Sequence, residues 1–240
     1  MSMIQGVKRG MARAMGTPVQ VKAVRALSPA VREIVFQGDK LVGTAFSAGD
    51  KVKLGVAKVL RSYTPSRLDP VSGELAIVFV LHGQGPAAQW AESAAPGDPA
   101  IVLGPAPSVK AASGAPWGLF FGDATTLGLA RALEDSLGTP LQGAIELPTT
   151  DLGSIEALGL QLAAVPQATD VGTALLAWAE TCALPDGDGA IWVSGHAASV
   201  LAIRDVLVRR GVAKSAIRVK PYWSDRGTAH RKQVAATLAG

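Results

Sequence analysis

The hydrophobic pattern of this chain changes near residue 110, and that change constrains the fold more than any single motif does. Before it, short alternating or β-branched runs recur about every ten residues, with Gly, Pro or Asp between them, as in an antiparallel barrel or sandwich. The predicted strands are residues 18–27, 31–36, 51–56, 60–64, 74–82 and 98–103, and one helix fits residues 86–94.

After residue 110, apolar runs alternate with segments of helical spacing. The predicted strands are residues 117–121, 141–147, 160–165, 190–194 and 217–223, and the predicted helices are residues 126–137, 172–183 and 197–210. Alternating strands and helices predict a parallel sheet covered on both faces. We therefore predict a flexible lead-in over residues 1–16, a β-barrel domain over residues 17–110 and an α/β domain over residues 111–240, with a Pro-rich and Ala-rich linker at residues 105–116.

Charge and composition exclude several classes of protein. The formal net charge is +4, which is too small to favour nucleic acid as a partner. The sequence contains no run of roughly 18 apolar residues, so we predict no membrane span. The single cysteine, Cys182, excludes an internal disulfide or a cysteine-based metal site. With no apolar stretch typical of a secretory signal near its start, the chain is predicted to be cytoplasmic and without metal.

A glycine-rich motif follows the strand predicted over residues 74–82. Gly83-Gln84-Gly85-Pro86-Ala87-Ala88 fits G-x-G-x-x-A, the loose form of a dinucleotide fingerprint. The acidic residue expected about 20 positions later is missing, since Ile101 and Val102 stand there, so we predict no Rossmann ribose site. Glycines and a proline at a helix start are typical of an anion-binding loop and equally of a tight strand-to-helix turn.

A second motif, Arg61-Ser62-Tyr63-Thr64, ends another predicted strand. The arginine offers a rigid fork for phosphate, and Tyr63, two positions later, points to the same face, where its ring can stack on a planar ligand. Thr64 can hydrogen-bond the rim of that ligand. The alternative is an ordinary strand with an exposed arginine and a half-buried tyrosine.

In combination, these motifs resemble the siderophore-interacting proteins, which are flavin-dependent ferric-siderophore reductases built like ferredoxin–NADP reductases. The resemblance spans residues 17–226 and rests on residues 61–64, 79–90, 122–125, 192–196 and 221–223, which read RSYT, FVLHGQGPAAQW, GDAT, WVSGH and PYW. It implies a flavin-binding β-barrel followed by a nicotinamide-binding α/β domain of parallel-sheet type, a ferredoxin reductase-like fold.

The resemblance also implies FAD as cofactor and NADPH or NADH as electron donor. Arg61 would meet an FAD phosphate, Tyr63 would stack near the flavin ring, and the helix start would hold the pyrophosphate. Asp123 and Thr125 would line the nicotinamide crevice, although a helix N-cap is an equally good reading for them. The cofactor-binding residues implied are Arg61, Ser62, Tyr63, Thr64, His82, Gly83, Gly85, Ala87, Ala88, Asp123, Thr125, Gly195 and His196.

The sequence also departs from the family pattern. Ser66 stands where a second arginine is usual, while Ala124 and His196 replace the acidic residues usual at their positions. The flavin motifs are therefore closer to the family than the nicotinamide motifs are. We further hypothesise that basic residues near the C-terminus, Lys220 and Arg226 among them, attract an anionic ferric siderophore; an ordinary solvated tail is the alternative.

These features predict an FAD-dependent NAD(P)H:ferric-siderophore oxidoreductase. No catalytic acid–base residue is predicted, because hydride and electron transfer require none from the protein. Two alternatives remain open. One is an electron transferase that uses a ferredoxin-like partner, and the other is a flavin-binding or siderophore-binding module without catalysis.

Overall fold

The structure, a computed structural model, describes residues 16–81, 83, 85–225, 227 and 233–237. It divides into two compact units, the first ending at Ser108 and the second beginning at Val109. Residues 1–15 of the predicted lead-in lie outside the described residues, and so do two predicted site residues, His82 and Arg226.

The first unit is one antiparallel sheet of seven strands. These are β1 (Thr17–Ser28), β2 (Val31–Gln37), β3 (Lys51–Val56), β4 (Val59–Tyr63), β5 (Arg67–Asp69), β6 (Glu74–Val80) and β7 (Pro99–Ala106). Their order in the sheet is β4-β3-β7-β1-β2-β6-β5. The two edge strands are consecutive in the chain, and the connection from Tyr63 to Arg67 spans at most about 14 Å. The sheet therefore curves round to bring its edges near each other, which confirms the barrel-like fold.

Helix α1 (Pro86–Ser93) packs against this sheet. Its buried residues Ala87 and Ala91 join an apolar core that includes Phe36 and Phe79, and Trp90 packs on that core with its ring 6.2 Å from that of Phe36. Pro86 occupies the first turn of the helix, where a missing N–H costs no intrahelical hydrogen bond. The sheet and its core thus fix where α1 begins.

The second unit is a five-stranded parallel sheet with helices. Its strands are β8 (Gly118–Asp123), β9 (Gln142–Leu147), β10 (Ala163–Pro166), β11 (Ala190–His196) and β12 (Ile217–Trp223), and its helices are α2 (Leu127–Leu137), α3 (Ser154–Ala157), α4 (Thr173–Thr181) and α5 (Ala197–Arg209). The order β10-β9-β8-β11-β12 confirms the predicted α/β domain. The strand order reverses between β8 and β11, and ligands of such sheets bind outside the carboxyl ends of the strands at that point.

Some elements differ from the prediction because they are short or end early. Strand β5 has three residues and α3 has four, too few for a periodic pattern to appear in the sequence. The strand predicted over residues 74–82 ends at Val80, just before the glycine motif. Within the described part of the chain, no helix has the length and apolar character needed to cross a membrane.

Candidate functional site

Strand β4 carries the first candidate surface. Arg61 pairs with Leu54 of β3 and Tyr63 with Val52, and both β3 residues are buried. Arg61 and Tyr63 therefore lie on the same face of β4, whereas Ser62 is exposed on the opposite face across from Lys53. Because β4 is an edge strand, the Arg61 side chain stays exposed, and its guanidinium donates to the nearby carbonyl oxygen of Leu60 at 3.4 Å.

Tyr63 is half-buried against Phe79, with ring centroids 4.8 Å apart. Burial raises the pKa of the Tyr63 phenol to about 12, although the positive charge of Arg61 works in the opposite direction. The ring is thus a neutral, partly exposed surface at the end of the strand. Thr64 follows directly and is half-buried as well.

The start of α1 is the second candidate surface of the first unit. Gly83 has a φ of +69°, and Gly85 precedes the helix without any side-chain cap. A Cβ added at either glycine would meet no atom within 4 Å, so the space beside this backbone is open. Ala88 donates its N–H to the carbonyl oxygen of Gly85 at 2.9 Å, while the methyl group of Ala87 is buried in the core. Ala87 can therefore serve a ligand only through its backbone N–H, and the open helix start fits a phosphate.

In the second unit, the carboxylate of Asp123 is the centre of a hydrogen-bond network at the carboxyl end of β8. Oδ1 accepts from the backbone N–H of Thr125 at 2.9 Å and from the hydroxyl of Thr125 at 2.5 Å. Oδ2 accepts from the backbone N–H of His196 at 2.7 Å and from the indole Nε1 of Trp223 at 2.8 Å. Asp123 is thus an N-cap, as one of its two predicted readings has it, and it also joins β8, β11 and β12 at the switch point.

Gly195 has a φ of +117°, and an added Cβ there would lie 2.2 Å from Oδ2 of Asp123. The space that a side chain would occupy at Gly195 is therefore taken by the Asp123 carboxylate. Glycine at this position is required for the network, whatever ligand binds beside it.

His196 is the last residue of β11 and directly precedes α5, and it is largely buried. Its Nδ1 lies 3.0 Å from the hydroxyl of Ser199, and its Nε2 lies 3.1 Å from Oδ2 of the exposed Asp225. The His196 and Trp223 rings are 4.6 Å apart at an angle of 37°. His196 therefore holds the end of β12 against the end of β11.

Four residues of this region were not among the predicted site residues: Trp223, Asp225, Ser199 and Glu146. Glu146, near the end of β9, is 3% exposed and accepts from the backbone N–H groups of Gly172 at 2.7 Å and Leu175 at 3.4 Å, so it caps the start of α4. An aromatic residue at the carboxyl end of the last strand was the sequence signal available for Trp223.

The predicted substrate residue Lys220 is half-buried on β12, and its backbone carbonyl accepts from the hydroxyl of Ser194 at 2.7 Å. Arg218 lies two positions earlier on the same strand, with its guanidinium 5.6 Å from the ring centroid of Trp192. Among the residues that the structure describes, no group of three or more His, Cys, Asp or Glu side chains is arranged to hold a metal ion.

Each of the two units matches a known protein family. Residues 52–109 match the siderophore-interacting FAD-binding domain, and residues 115–226 match the siderophore-interacting protein model. Over 185 residues the chain is 28% identical to the ferric vibriobactin reductase ViuB of Vibrio cholerae, an alignment that covers 73% of this chain and 68% of ViuB.

Solved structures share the whole fold. A siderophore utilization protein from T. fusca has a TM-score of 0.75 and 24% identity, with 89% of this chain and 94% of that one covered. The siderophore-interacting protein SipS from Aeromonas hydrophila has a TM-score of 0.76 and 22% identity, with coverages of 94% and 100%. The ferredoxin reductase in carbazole 1,9a-dioxygenase has a TM-score of 0.69 and 17% identity, with coverages of 87% and 69%.

The fold is therefore that of a ferredoxin reductase-like flavoprotein, in which a barrel-like antiparallel unit is followed by a parallel α/β unit. The first unit carries the FAD-binding domain, which confirms FAD as the cofactor. Since the two family models together match more than half of its length, the chain belongs to the siderophore-interacting protein family.

Proposed function

We propose that this protein is an FAD-dependent oxidoreductase that takes electrons from NADPH or NADH and reduces a ferric siderophore, so that Fe(II) is released. The observation that carries the proposal is the surface formed in the FAD-binding unit by Arg61, Tyr63 and the open start of α1. It offers an arginine guanidinium that can bind a phosphate, a neutral aromatic ring, and a helix start that is preceded by exposed glycines. Those are the groups that a flavin dinucleotide requires.

Each residue of that surface has a separate task. The Arg61 guanidinium holds a phosphate oxygen pair, because its planar fork matches phosphate geometry. The backbone N–H of Ala87 and the positive end of the α1 dipole favour the pyrophosphate. Tyr63 supplies an apolar wall for the ring system. Bound FAD supplies the chemistry that the side chains lack, since it accepts two electrons from a nicotinamide and can pass them on singly.

The second unit binds the electron donor in this proposal. The crevice at the carboxyl ends of β8 and β11 is the place where such sheets bind ligands. Asp123 fixes the Trp223 ring and the backbone of His196 there, so that one wall of the crevice is set before the donor arrives. A preset wall orients the donor ring and excludes water from it.

Release of iron follows from the ligands of the substrate. A siderophore holds Fe(III) through hard oxygen atoms, which bind Fe(II) less tightly, so reduction weakens the complex. Lys220, with Arg226, would attract the anionic ferric siderophore.

The test is an anaerobic titration of the full chain loaded with FAD. Bleaching of the visible flavin absorbance by NADH or NADPH, followed by trapping of Fe(II) after a ferric siderophore is added, supports the proposal. Bound FAD that only reduced ferredoxin can bleach would establish the electron-transferase alternative instead. FAD that binds but accepts electrons from neither source would leave a binding module, and a chain that binds no FAD would overturn all three.

A further inference from the structure

We infer that Arg32 is a positioning residue for FAD, although it lies at the opposite end of α1 from the helix start; this inference rests on the FAD site of the proposed function. Arg32 belongs to β2, where the buried residues Ile34 and Phe36 lie on the same face of the strand. Its guanidinium Nη1 donates to the backbone carbonyl oxygen of Glu92 and, at 3.4 Å, to that of Ala91. Both carbonyls belong to the last turn of α1. Arg32 therefore ties that end of the helix to the sheet.

The carboxyl end of α1 needs such a partner. The last four carbonyl groups of an α-helix have no partner within the helix, and the aligned peptide dipoles place a partial negative charge there. The hydroxyl of Ser93 donates to the carbonyl oxygen of Trp90 at 3.3 Å, while the carbonyls of Ala91 and Glu92 accept from Arg32. All eight residues of α1 are described, and none in its last turn is basic. Arg32 thus supplies from β2 the cation that the helix itself lacks.

The chain that leads into α1 does not by itself fix the direction of the helix. Gly83 has a φ of +69°, and an added Cβ at Gly83 or Gly85 would meet no atom within 4 Å. Glycines without close neighbours let the backbone turn at little cost. The buried methyl groups of Ala87 and Ala91 hold the helix on the core, but apolar burial is non-directional. The hydrogen bonds from Arg32 are directional, so they fix the orientation of α1 on the sheet.

Arg32 acts on the cofactor through the helix and does not touch it. A helix of eight residues is about 12 Å long, which separates Arg32 from a pyrophosphate at the start of α1. By holding the carboxyl end in place, Arg32 keeps the N–H groups of the first turn aimed at one point, and its charge offsets the negative end of the dipole. The adjacent Glu33 is paired with Arg25 at 3.0 Å, so it leaves the Arg32 charge to the helix. A helix held in this way is preorganised for the pyrophosphate, which lowers the cost of binding.

The experiment compares FAD with riboflavin, which has the same ring system but no phosphate. Each flavin is titrated by fluorescence into the flavin-free full chain of the parent and of Arg32→Ala. We expect Arg32→Ala to bind FAD about fivefold to tenfold more weakly and to bind riboflavin within about twofold of the parent. Unchanged affinity for FAD would overturn the inference. An equal loss for both flavins would also overturn it, because the effect would then be a general one on the barrel.

Three further variants separate positioning from stability and from charge. Arg32→Lys keeps a cation that can donate to the same carbonyls, so we expect it to recover most of the lost FAD affinity. Val19→Ala leaves a cavity in the core at β1 and lowers stability, and Arg25→Ala removes an exposed arginine from the same strand. We expect both of these controls to bind FAD within about twofold of the parent. If Arg32→Lys bound FAD no better than Arg32→Ala, or if either control lost as much affinity, the inference would fall.

The outcomes also distinguish this inference from the proposed function. If the parent binds FAD and Arg32→Ala binds it equally well, the proposed function stands and only the inference is wrong. If the parent binds riboflavin as tightly as FAD, the helix start contributes nothing, and the pyrophosphate site of the proposed function is wrong together with the inference.

Discussion

The indole Nε1 of Trp223 donates a hydrogen bond to Oδ2 of Asp123 at 2.8 Å, which ties the last strand of the α/β unit to its first. The same oxygen accepts the backbone N–H of His196 at 2.7 Å, so one carboxylate joins three neighbouring strands at their carboxyl ends. The proposed donor crevice lies at this end of the sheet, beside the carboxyl ends of the strands. The stability of the crevice should therefore depend on Asp123.

Replacement of Asp123 by alanine would leave the N–H groups of Thr125, His196 and Trp223 without their acceptor. Because an unsatisfied buried donor costs about 1–3 kcal/mol, we expect Asp123→Ala to lower the free energy of unfolding by about 2–4 kcal/mol. Urea unfolding followed by tryptophan fluorescence measures this, since Trp117, Trp178, Trp192 and Trp223 lie in the α/β unit. The exposed Asp188→Ala serves as control and should change stability little. A variant of Asp123 as stable as the parent would show that the network is not structural.

Gly195 tests the same network from the other side. Gly195→Ala would place a Cβ 2.2 Å from the Asp123 carboxylate in a backbone conformation with φ of +117°. Gly187→Ala is the matched control, because Gly187 also has a positive φ, of +83°, but has no atom within 4 Å of an added Cβ. We expect the control to lose about 1–2 kcal/mol from backbone strain alone and Gly195→Ala to lose clearly more. Equal thermal and urea stability of the two variants would contradict the close contact.

The fold could be predicted from the sequence because the signals that determine it are local in the chain. The period of two before residue 110 and the strand–helix alternation after it each follow from neighbouring residues in the chain. The Arg61 and Tyr63 pair on one face of β4 follows from the same alternation. The Asp123–Trp223 bond spans 100 residues, and no short pattern contains both partners.

The contact between Gly195 and the Asp123 carboxylate could not be predicted from the sequence either, because the two residues are far apart in the chain. The resemblance implied Gly195 only as a cofactor-binding residue, and that role stays a prediction. Likewise, Glu146 lies within the strand predicted over residues 141–147, and nothing local in the sequence distinguishes it from its neighbours. Its role as a cap appears only when β9 lies beside the start of α4, a contact that depends on tertiary packing.

The turn between β3 and β4 offers a stabilising substitution. Ala57 and Lys58 have φ values of 45° and 60°, a conformation that costs residues with a Cβ about 1–2 kcal/mol each and that suits Asn-Gly in a two-residue hairpin. We expect Lys58→Gly to raise the free energy of unfolding by about 1 kcal/mol. We expect the double variant that also carries Ala57→Asn to have a still higher free energy of unfolding. Lys53→Gly, in the middle of β3, is the control and should destabilise the protein. A loss of stability in the turn variants would show that the turn is not of this type.

The phenol of Tyr63 should ionise at a higher pH than an ordinary tyrosine does. Its pKa is raised to about 12 by burial, while the unfolded chain has an ordinary phenol near pH 10. The stabilisation from keeping the phenol neutral is thus fully present below pH 10 and is lost as the pH rises towards 12. Ultraviolet difference absorbance of tyrosinate should show this late step in the parent and in Tyr222→Phe, and Tyr63→Phe should remove it. A Tyr63 that ionises near pH 10 in the folded protein would contradict the burial.

Arg61 provides the sharpest test of the flavin surface. If its guanidinium holds an FAD phosphate through charged hydrogen bonds, each worth about 1.5–3 kcal/mol, Arg61→Ala should weaken FAD binding by about 10-fold to 100-fold. Arg61→Lys keeps the charge but loses the planar fork, so its affinity for FAD should fall between those of the parent and the alanine variant. Fluorescence titration of FAD into the flavin-free protein gives the three dissociation constants.

The control for Arg61 is Arg25→Ala, because Arg25 is an exposed arginine on β1, three strands away from β4 in the sheet, and pairs with Glu33 at 3.0 Å. Its loss removes the same charge from the same unit. We expect it to leave FAD affinity unchanged within about twofold, since long-range attraction between exposed charges is largely screened by salt. If both variants weakened FAD binding equally, the effect would come from the overall positive charge of the unit, and the phosphate contact assigned to Arg61 would be wrong.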